Sequence, residues 1–241
     1  MSLTHSPSIS MSSLSFYFDS NRTSNYVGTT VTSAVGTTQL TATSVTRTGT
    51  TTTFTNSGNQ SSSISASSYI RAAAYDAQYV MKANTSASVT FYNTAYLDVG
   101  SLSYGRQTAF SGGSDSQSGM WAFERPTQNT NFTFRYKADN SPTYGDEFPI
   151  GTVPLNTWVN LCYTNDGSNI RIYNNGVLVT TQSVTTKTFL TPTTDCRLSI
   201  GSQQTIYGFI GDVGVAMFYN KVLTADEITQ NFNALRGRYG I

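Results

Sequence analysis

Trp158-Val-Asn-Leu-Cys-Tyr-Thr-Asn-Asp-Gly-Ser-Asn-Ile-Arg-Ile-Tyr-Asn-Asn-Gly-Val-Leu-Val-Thr180 alternates strand-forming runs with turn signals. Trp158–Thr164 predicts one strand, Ile170–Tyr173 a second and Val177–Thr180 a third. Between them stand Asp166-Gly167 and Asn174-Asn175-Gly176, pairs that supply the positive φ angles of tight hairpins. The stretch therefore predicts an antiparallel β-meander, and it sets the expectation for the whole chain.

On either side the period-2 pattern continues. Leu14–Phe18, Ser88–Tyr92, Met120–Phe123, Asn131–Tyr136, Arg197–Ile200 and Gly214–Tyr219 all read as strands. Gly28–Gln60 is so rich in Thr, Ser and Gly that no strand can be placed there. One helix follows the last strand. Thr224 is its N-cap, Glu227 completes a capping box, and Leu223 and Ile228 occupy the staple positions. Ile228, Phe232 and Leu235 form its apolar stripe, Gly237 suits an αL cap, and Arg236 and Arg238 favour the negative end of the dipole. Many strands and one short terminal helix predict an all-β sandwich with a helical appendage. It occupies residues 14–241 as a single domain, and residues 1–13, which are rich in Ser and include Thr4 and Pro7, suggest a flexible or docking arm.

Composition narrows the function. Charged residues are 11% of the 241, well under the roughly 25% of an average domain. Aromatic residues are 12%, which argues against disorder. A formal net charge of +1 gives no field for nucleic acid or an anionic membrane. No apolar run approaches the roughly 18 residues of a membrane helix, so no membrane insertion is expected. Met1–Ser13 lacks the basic and apolar regions of a secretory signal peptide. Cys162 and Cys196 fit no metal spacing and read as reduced packing thiols, with a disulfide as the alternative. His5, the sole histidine, lies in the arm, which leaves no histidine-based triad or zinc site in the domain.

From Trp158 onward the order of features resembles the laminin G-like branch of the concanavalin A-like lectin and glucanase superfamily. The matching features are the Asp166-Gly167 turn, Ile172-Tyr-Asn-Asn-Gly176, Leu198–Gly201, Phe209-Ile-Gly211 and Phe218–Ile228. Upstream, Tyr17–Asp19, Ser68–Ile70 and Gly119–Trp121 look like the family's opening and middle segments. The resemblance implies a two-sheet antiparallel β-sandwich (jelly roll), its two curved sheets of roughly six or seven strands face to face with first and last strands adjacent. Gln230–Ile241 looks like the ending of such modules in tailed-phage virion proteins. Two departures stand out. Many relatives carry an acidic pair where this chain has Gly214-Val215, which removes carboxylates that would serve a Ca²⁺ site. The alternating acids of the glucanase branch are missing too, and Asp146-Glu147 are adjacent, so they would point to opposite faces of a strand.

The expected function is thus non-enzymatic: a virion protein of a tailed phage, such as a capsid decoration or fibre, assembled in the host cytoplasm. Its expected partners are other virion proteins through residues 1–13, further copies of itself, and host-surface polysaccharide. The alternatives are a dedicated carbohydrate-binding adhesin and, remotely, a polysaccharide-cleaving enzyme. Sugar recognition needs an aromatic platform beside hydrogen-bonding groups, and Tyr104, Arg106, Trp121, Arg125 and Tyr144 supply those types. For Trp121 a core role is the stronger reading. No cofactor is expected. Asp115, Asp139, Asn140, Asp146 and Glu147 offer oxygens to Ca²⁺, but ordinary solvated loop acids are the favoured reading.

Overall fold

The computed structural model describes residues 8–22, 24, 26–56, 66–95, 105–113, 117–126, 131–139, 145–189 and 197–241. The chain begins with β1 (Leu14–Asp19), β2 (Tyr26–Val27), β3 (Thr30–Thr32), β4 (Gln39–Thr43), β5 (Val45–Thr48), β6 (Thr51–Thr55) and β7 (Tyr69–Ala72). Then come β8 (Thr85–Asn93), β9 (Arg106–Gly112), β10 (Trp121–Pro126), β11 (Asn131–Tyr136) and β12 (Asp146–Thr152). β13 (Trp158–Asn165), β14 (Asn169–Asn174), β15 (Val177–Ser183), β16 (Leu198–Ile200), β17 (Ile210–Tyr219) and the helix α1 (Ala225–Tyr239) complete it.

The strands make two antiparallel sheets. One has eight strands in the order β15-β14-β13-β8-β17-β6-β5, with β1 also paired to β17. The other has nine, ordered β12-β11-β10-β9-β16-β7-β4-β3-β2. First and last strands are adjacent as the resemblance implies, but the sheets are wider than six or seven strands. The difference comes largely from the Thr-rich stretch, where β3, β4, β5 and β6 all form. Only Val31, Leu40 and Phe54 bring large, fully buried core residues to those four strands, so their alternation is faint in the sequence.

Strand alternation sorts side chains into three layers. Phe16 and Phe18 of β1, Phe91 of β8, Tyr163 of β13 and Phe218 of β17 point between the sheets, against Phe110, Trp121, Phe123 and Phe134. The Trp121 ring stacks on Phe218 at 5.7 Å and meets Phe110 edge-on at 4.9 Å. Its Nε1 donates to the Tyr79 carbonyl at 2.8 Å. Trp121 is therefore a core residue with its one polar atom satisfied.

Behind the eight-stranded sheet a smaller layer forms. Tyr17, Cys162, Tyr173, Val215, Met217 and Tyr219 pack there against Leu223 and, on α1, Ile228, Leu235 and Tyr239. The capping box is present: Thr224 Oγ1 accepts from Glu227 N at 3.2 Å, and Glu227 Oε2 accepts from Thr224 N at 3.1 Å. Gly237 does not end the helix, which runs to Tyr239 and is capped by Gly240 at φ 69°. Two contacts hold the extra turn. Tyr239 stacks on Trp158 at 4.4 Å, and Arg238 forks onto Asp19 at 2.8 and 3.0 Å. Gly214, at a register shift in β17, lacks the Cβ that would enter the Tyr239 ring. The arm, from Ser8 onward, lies on the same helix. Ser8 O accepts from Gln230 Nε2 at 2.6 Å, and Ser10 N donates to Asn231 Oδ1 at 2.6 Å.

The meander forms as its turns dictate. Asn175 and Gly176 adopt φ of 49° and 79°, joining β14 to β15. At the preceding turn Asp166 accepts from the backbone of Ser168 and Asn169 and from Arg171. Cys162 is a buried free thiol in β13, and Cys196 lies outside the described residues.

Candidate functional site

The outward positions of the nine-stranded sheet form one continuous row. Thr41 sits opposite Arg71, Arg71 opposite Ser199, and Ser199 opposite Ser111. The row continues through Ala122 and Arg135 to Glu147. An all-β face ordinarily shows scattered polar groups to water. Among the described residues, this one concentrates charge in two places.

The first is a buried ionic network towards β12. Glu124, fully buried, accepts from Arg135 Nε at 2.7 Å and from Arg135 Nη2 at 3.2 Å, a bidentate fork. Arg106 pairs with the same carboxylate and with Glu147. β9 and β12 are separated by β10 and β11, about 14 Å on a flat sheet. The Arg106–Glu147 pair therefore reaches over the strands that carry Glu124 and Arg135. Gln203 adds a hydrogen bond to Arg135 Nη2 at 2.8 Å, from a connection that also meets Ser111 through the Ser202 carbonyl. Two guanidiniums and two carboxylates thus neutralise one another. The side chain of Glu147 is 35% exposed, so its share of the network is the weaker one.

The second place is an open cleft of about 280 Å³ over β4, β7 and the start of β16, lined by Thr41, Thr43, Tyr69, Arg71, Ala73 and Arg197 among others. Tyr69 and Arg71 are two residues apart on β7, so both point outward while Ile70 and Ala72 enter the core. Arg71 Cζ lies 5.8 Å from the Tyr69 ring centre. The described lining residues include two guanidiniums, one phenol ring and two hydroxyls, and no carboxylate. Ser199, opposite Arg71, has its hydroxyl buried with no hydrogen-bond partner among the described residues. An aromatic face, forked donors and small hydroxyls converging on an open hollow suit a polar ring such as a sugar.

Two larger hollows are less suited. One of about 480 Å³ is lined by Leu14, Ser15, the segment 36–39 and residues 72–76 with Gln78. Its acid, Asp76, is engaged with the Gln78 backbone at 3.0 Å and side chain at 2.5 Å. In the other, of about 410 Å³, Arg47 stacks on Tyr26 at 4.0 Å and donates to Ser20 O, so its aromatic face and its cation occupy each other.

Tyr104 and Tyr144, expected as sugar platforms, lie outside the described residues, as do His5, Asp115 and Asn140. Arg106, Trp121 and Arg125 do not form a solvent-facing platform, because each is buried. Arg106 belongs to the ionic network and Trp121 to the core. Arg125 ties the two sheets from inside: Nε donates to Asn93 Oδ1 at 2.8 Å, Nη2 donates to Val153 O at 2.6 Å, and the cation sits 4.9 Å from the Phe132 ring. The described acids weighed for Ca²⁺, Asp139, Asp146 and Glu147, do not converge. Asp146 binds Lys187 Nζ at 2.8 Å, Glu147 faces Arg106, and Asp139 is exposed. No cluster of three or more potential metal ligands occurs among the described residues. Tyr69, Arg71 and Arg197 were not singled out from sequence. The signal available was the Tyr-Ile-Arg-Ala alternation of residues 69–72, which puts an aromatic and a cation on one face.

Residues 81–229 match the laminin G-type family of the concanavalin A-like lectin/glucanases superfamily, and the chain belongs to it. Among solved structures, domain 4 of an extracellular arabinanase from Geobacillus stearothermophilus, in complex with arabinotriose, is similar at TM-score 0.64 and 14% identity. That match covers 90% of this chain and 97% of the arabinanase domain. The Trypanosoma rangeli sialidase gives a TM-score of 0.65 at 14% identity, over 92% of this chain and 33% of the sialidase. The ligand binding domain of botulinum neurotoxin serotype D, in complex with N-acetylneuraminic acid, gives 0.65 at 13%, over 91% of this chain and 50% of the toxin domain. At these identities the likeness shows the fold. No curated protein sequence matches the chain.

Proposed function

We propose that this chain is a non-enzymatic structural module of a tailed-phage particle that contacts host-surface glycans through the cleft over β4, β7 and β16. The observation that carries the glycan reading is the pairing of the Tyr69 ring with Arg71, Arg197 and the hydroxyls of Thr41 and Thr43 in one open hollow. Structures of the same fold bound to arabinotriose and to N-acetylneuraminic acid support it, since they are sugar-bound proteins built on this scaffold. The non-enzymatic reading rests on the state of the acids. Hydrolysis of a glycosidic bond needs two reachable carboxyl groups, one able to give up a proton. On this face Glu124 is buried between two arginines and Glu147 is paired with one of them.

The particle reading is supported by the resemblance of Gln230–Ile241 to the endings of virion modules. In it residues 1–13 contact other virion proteins, and several copies assemble side by side. Mass spectrometry of purified particles, with electron microscopy of particles with and without this chain, tests it. Stoichiometric presence and a matching loss of density support a structural role, and absence from particles refutes it. A dedicated adhesin is the second reading, favoured by the same cleft. A glycan array with and without Ca²⁺ separates it, since strong saturable binding by a chain absent from particles identifies an adhesin.

A further inference from the structure

We infer that β15 is a self-pairing edge, where a second copy of this chain lays its own β15 antiparallel and continues the eight-stranded sheet across a two-fold axis; this rests on the side-by-side assembly of copies proposed above. β15 (Val177–Ser183) ends that sheet, and β14 is its one neighbour there among the described residues. An end strand carries a row of backbone N–H and C=O groups without partners in its own sheet, a template for another strand. Native sheets guard such ends with charge, proline, short length or a covering segment. The other ends here are guarded. β2 has two residues, and β5 has four with Arg47 among them. β12 carries Asp146, Glu147 and Pro149, with Lys187 bound to Asp146. The outer side of β1 is met by residues 33 and 34: Tyr17 N donates to Ser33 Oγ at 3.0 Å, and Ala34 N donates to Tyr17 O at 2.7 Å. The seven residues of β15, Val-Leu-Val-Thr-Thr-Gln-Ser, hold no charge, no proline and no glycine. Its irregularity is a bulge at Val179, because Leu178 pairs with Tyr173 and Thr180 with Ile172. The bulge interrupts the ladder at the apolar end only and leaves Thr180–Ser183 regular.

The side chains point the same way. A strand is ordinarily held by burying one face, yet β15 buries neither: Thr180 is half-buried and the other six residues are exposed. Val177, Leu178 and Val179 are 66, 48 and 43% exposed and consecutive, whereas the other exposed large apolar residues described, Met11 and Val27, stand singly. A neighbouring strand would cover them.

The strand's own chemistry selects the occupant. Two uncharged copies meet no like charge, and threonine beside threonine or glutamine adds cross-strand hydrogen bonds. Pairing uses up the unguarded edge of each copy, so assembly through it closes at two. One strand offers far less than the roughly 800 Å² per partner of a stable complex, so the pair is weak in solution. It tightens where copies already sit side by side.

The test uses the full chain in sedimentation velocity from about 1 µM to 1 mM, with hydrogen–deuterium exchange of residues 177–183 at both ends of that range. Wild type should form dimers as concentration rises, and the β15 amides should exchange more slowly as it does. Leu178→Lys and Thr181→Lys should each weaken the dimer by roughly tenfold or more, since lysine is a natural edge guard. Both positions are exposed, and thermal midpoints close to wild type show that the variants are folded. In any register that pairs most of the strand, Thr181 of one copy lies within reach of Thr181 of the other. Thr181→Lys mixed with Thr181→Glu should therefore associate more tightly than either variant alone. Dimers that tolerate both lysines overturn the inference and leave side-by-side assembly in place through another face. Growth past the dimer into open chains through β15 overturns it too, because one unguarded edge closes at two. A chain that stays monomeric throughout overturns both, and β15 amides slowed by another particle protein in that case assign the edge to that protein.

Discussion

Glu124→Gln is the substitution that most directly probes the buried network behind the cleft. The change keeps shape but removes the one charge shared by Arg106 and Arg135, both almost wholly buried. Arg106 keeps Glu147, and Arg135 keeps its hydrogen bond to the neutral Gln203 but loses the fork onto Glu124. Removing one partner of a buried ion pair costs about 3–5 kcal/mol, because the remaining charge stays out of water. For a chain of this size that corresponds to roughly 10 °C in thermal midpoint. Glu147→Gln is the internal control. Its side chain is 35% exposed, so the same chemical change should cost about 1 kcal/mol or less. Urea unfolding followed by circular dichroism, at unchanged slope, reads both values. If Glu124→Gln costs under about 1 kcal/mol, or no more than Glu147→Gln, then water reaches Glu124. The face would then not hold a closed, neutralised ionic network beside the cleft.

Three further outcomes are expected. Desolvation opposes it, but hydrogen bonds from Lys221, Thr224 N and Ser10 hold the Glu227 carboxyl below its usual value of 4.5. Asp166 is likewise held below 3.8 by Arg171, Asn169 and Ser168 against partial desolvation. The stability each adds is complete above its ordinary range and is lost as pH falls through the depressed folded value. Thermal midpoints should therefore be level near neutral pH and drop in acid, and a Glu227→Gln variant that drops as far as wild type contradicts this. Burial pushes the Cys162 thiol up, so peptide mapping after iodoacetamide treatment should find it unmodified in the native chain and modified in urea; rapid native labelling speaks against its burial. Gly214→Ala puts a methyl into the Tyr239 ring and should cost about 1–3 kcal/mol, measured by urea unfolding. A neutral result would mean that Tyr239 is not fixed on β17.

The parts of the fold that were legible in the sequence are those set by local chemistry. Asn175-Gly176 and Asp166-Gly167 specify their turns through backbone angles, and Thr224 with Glu227 specifies the helix start through reciprocal hydrogen bonds. The helix end was not local. Gly237 has the right residue type, yet Arg238 on Asp19 and Tyr239 on Trp158 draw the helix past it, and both partners lie far off in sequence. β3 to β6 were hidden for a different reason: threonine serves equally on the core and solvent sides of a strand, so the alternation carries little contrast. The site was half legible. Arg106 was noticed as a functional type, but its role follows from Glu124 and Glu147, which only the order of β9 to β12 brings to it. Tyr69 and Arg71 line one hollow with Arg197 because β7 pairs with β16, a pairing that no spacing in the chain announces.

The glycan reading meets its most direct test in backbone NMR shift mapping of the isotope-labelled chain. An array-selected sugar would be titrated into wild type and into Tyr69→Ala. Saturable shifts centred on Thr41, Thr43, Tyr69, Arg71 and Arg197, lost in the variant, are the predicted result. Saturable shifts centred elsewhere, on Tyr104 and Tyr144 for instance, or no shifts with any glycan, would contradict it.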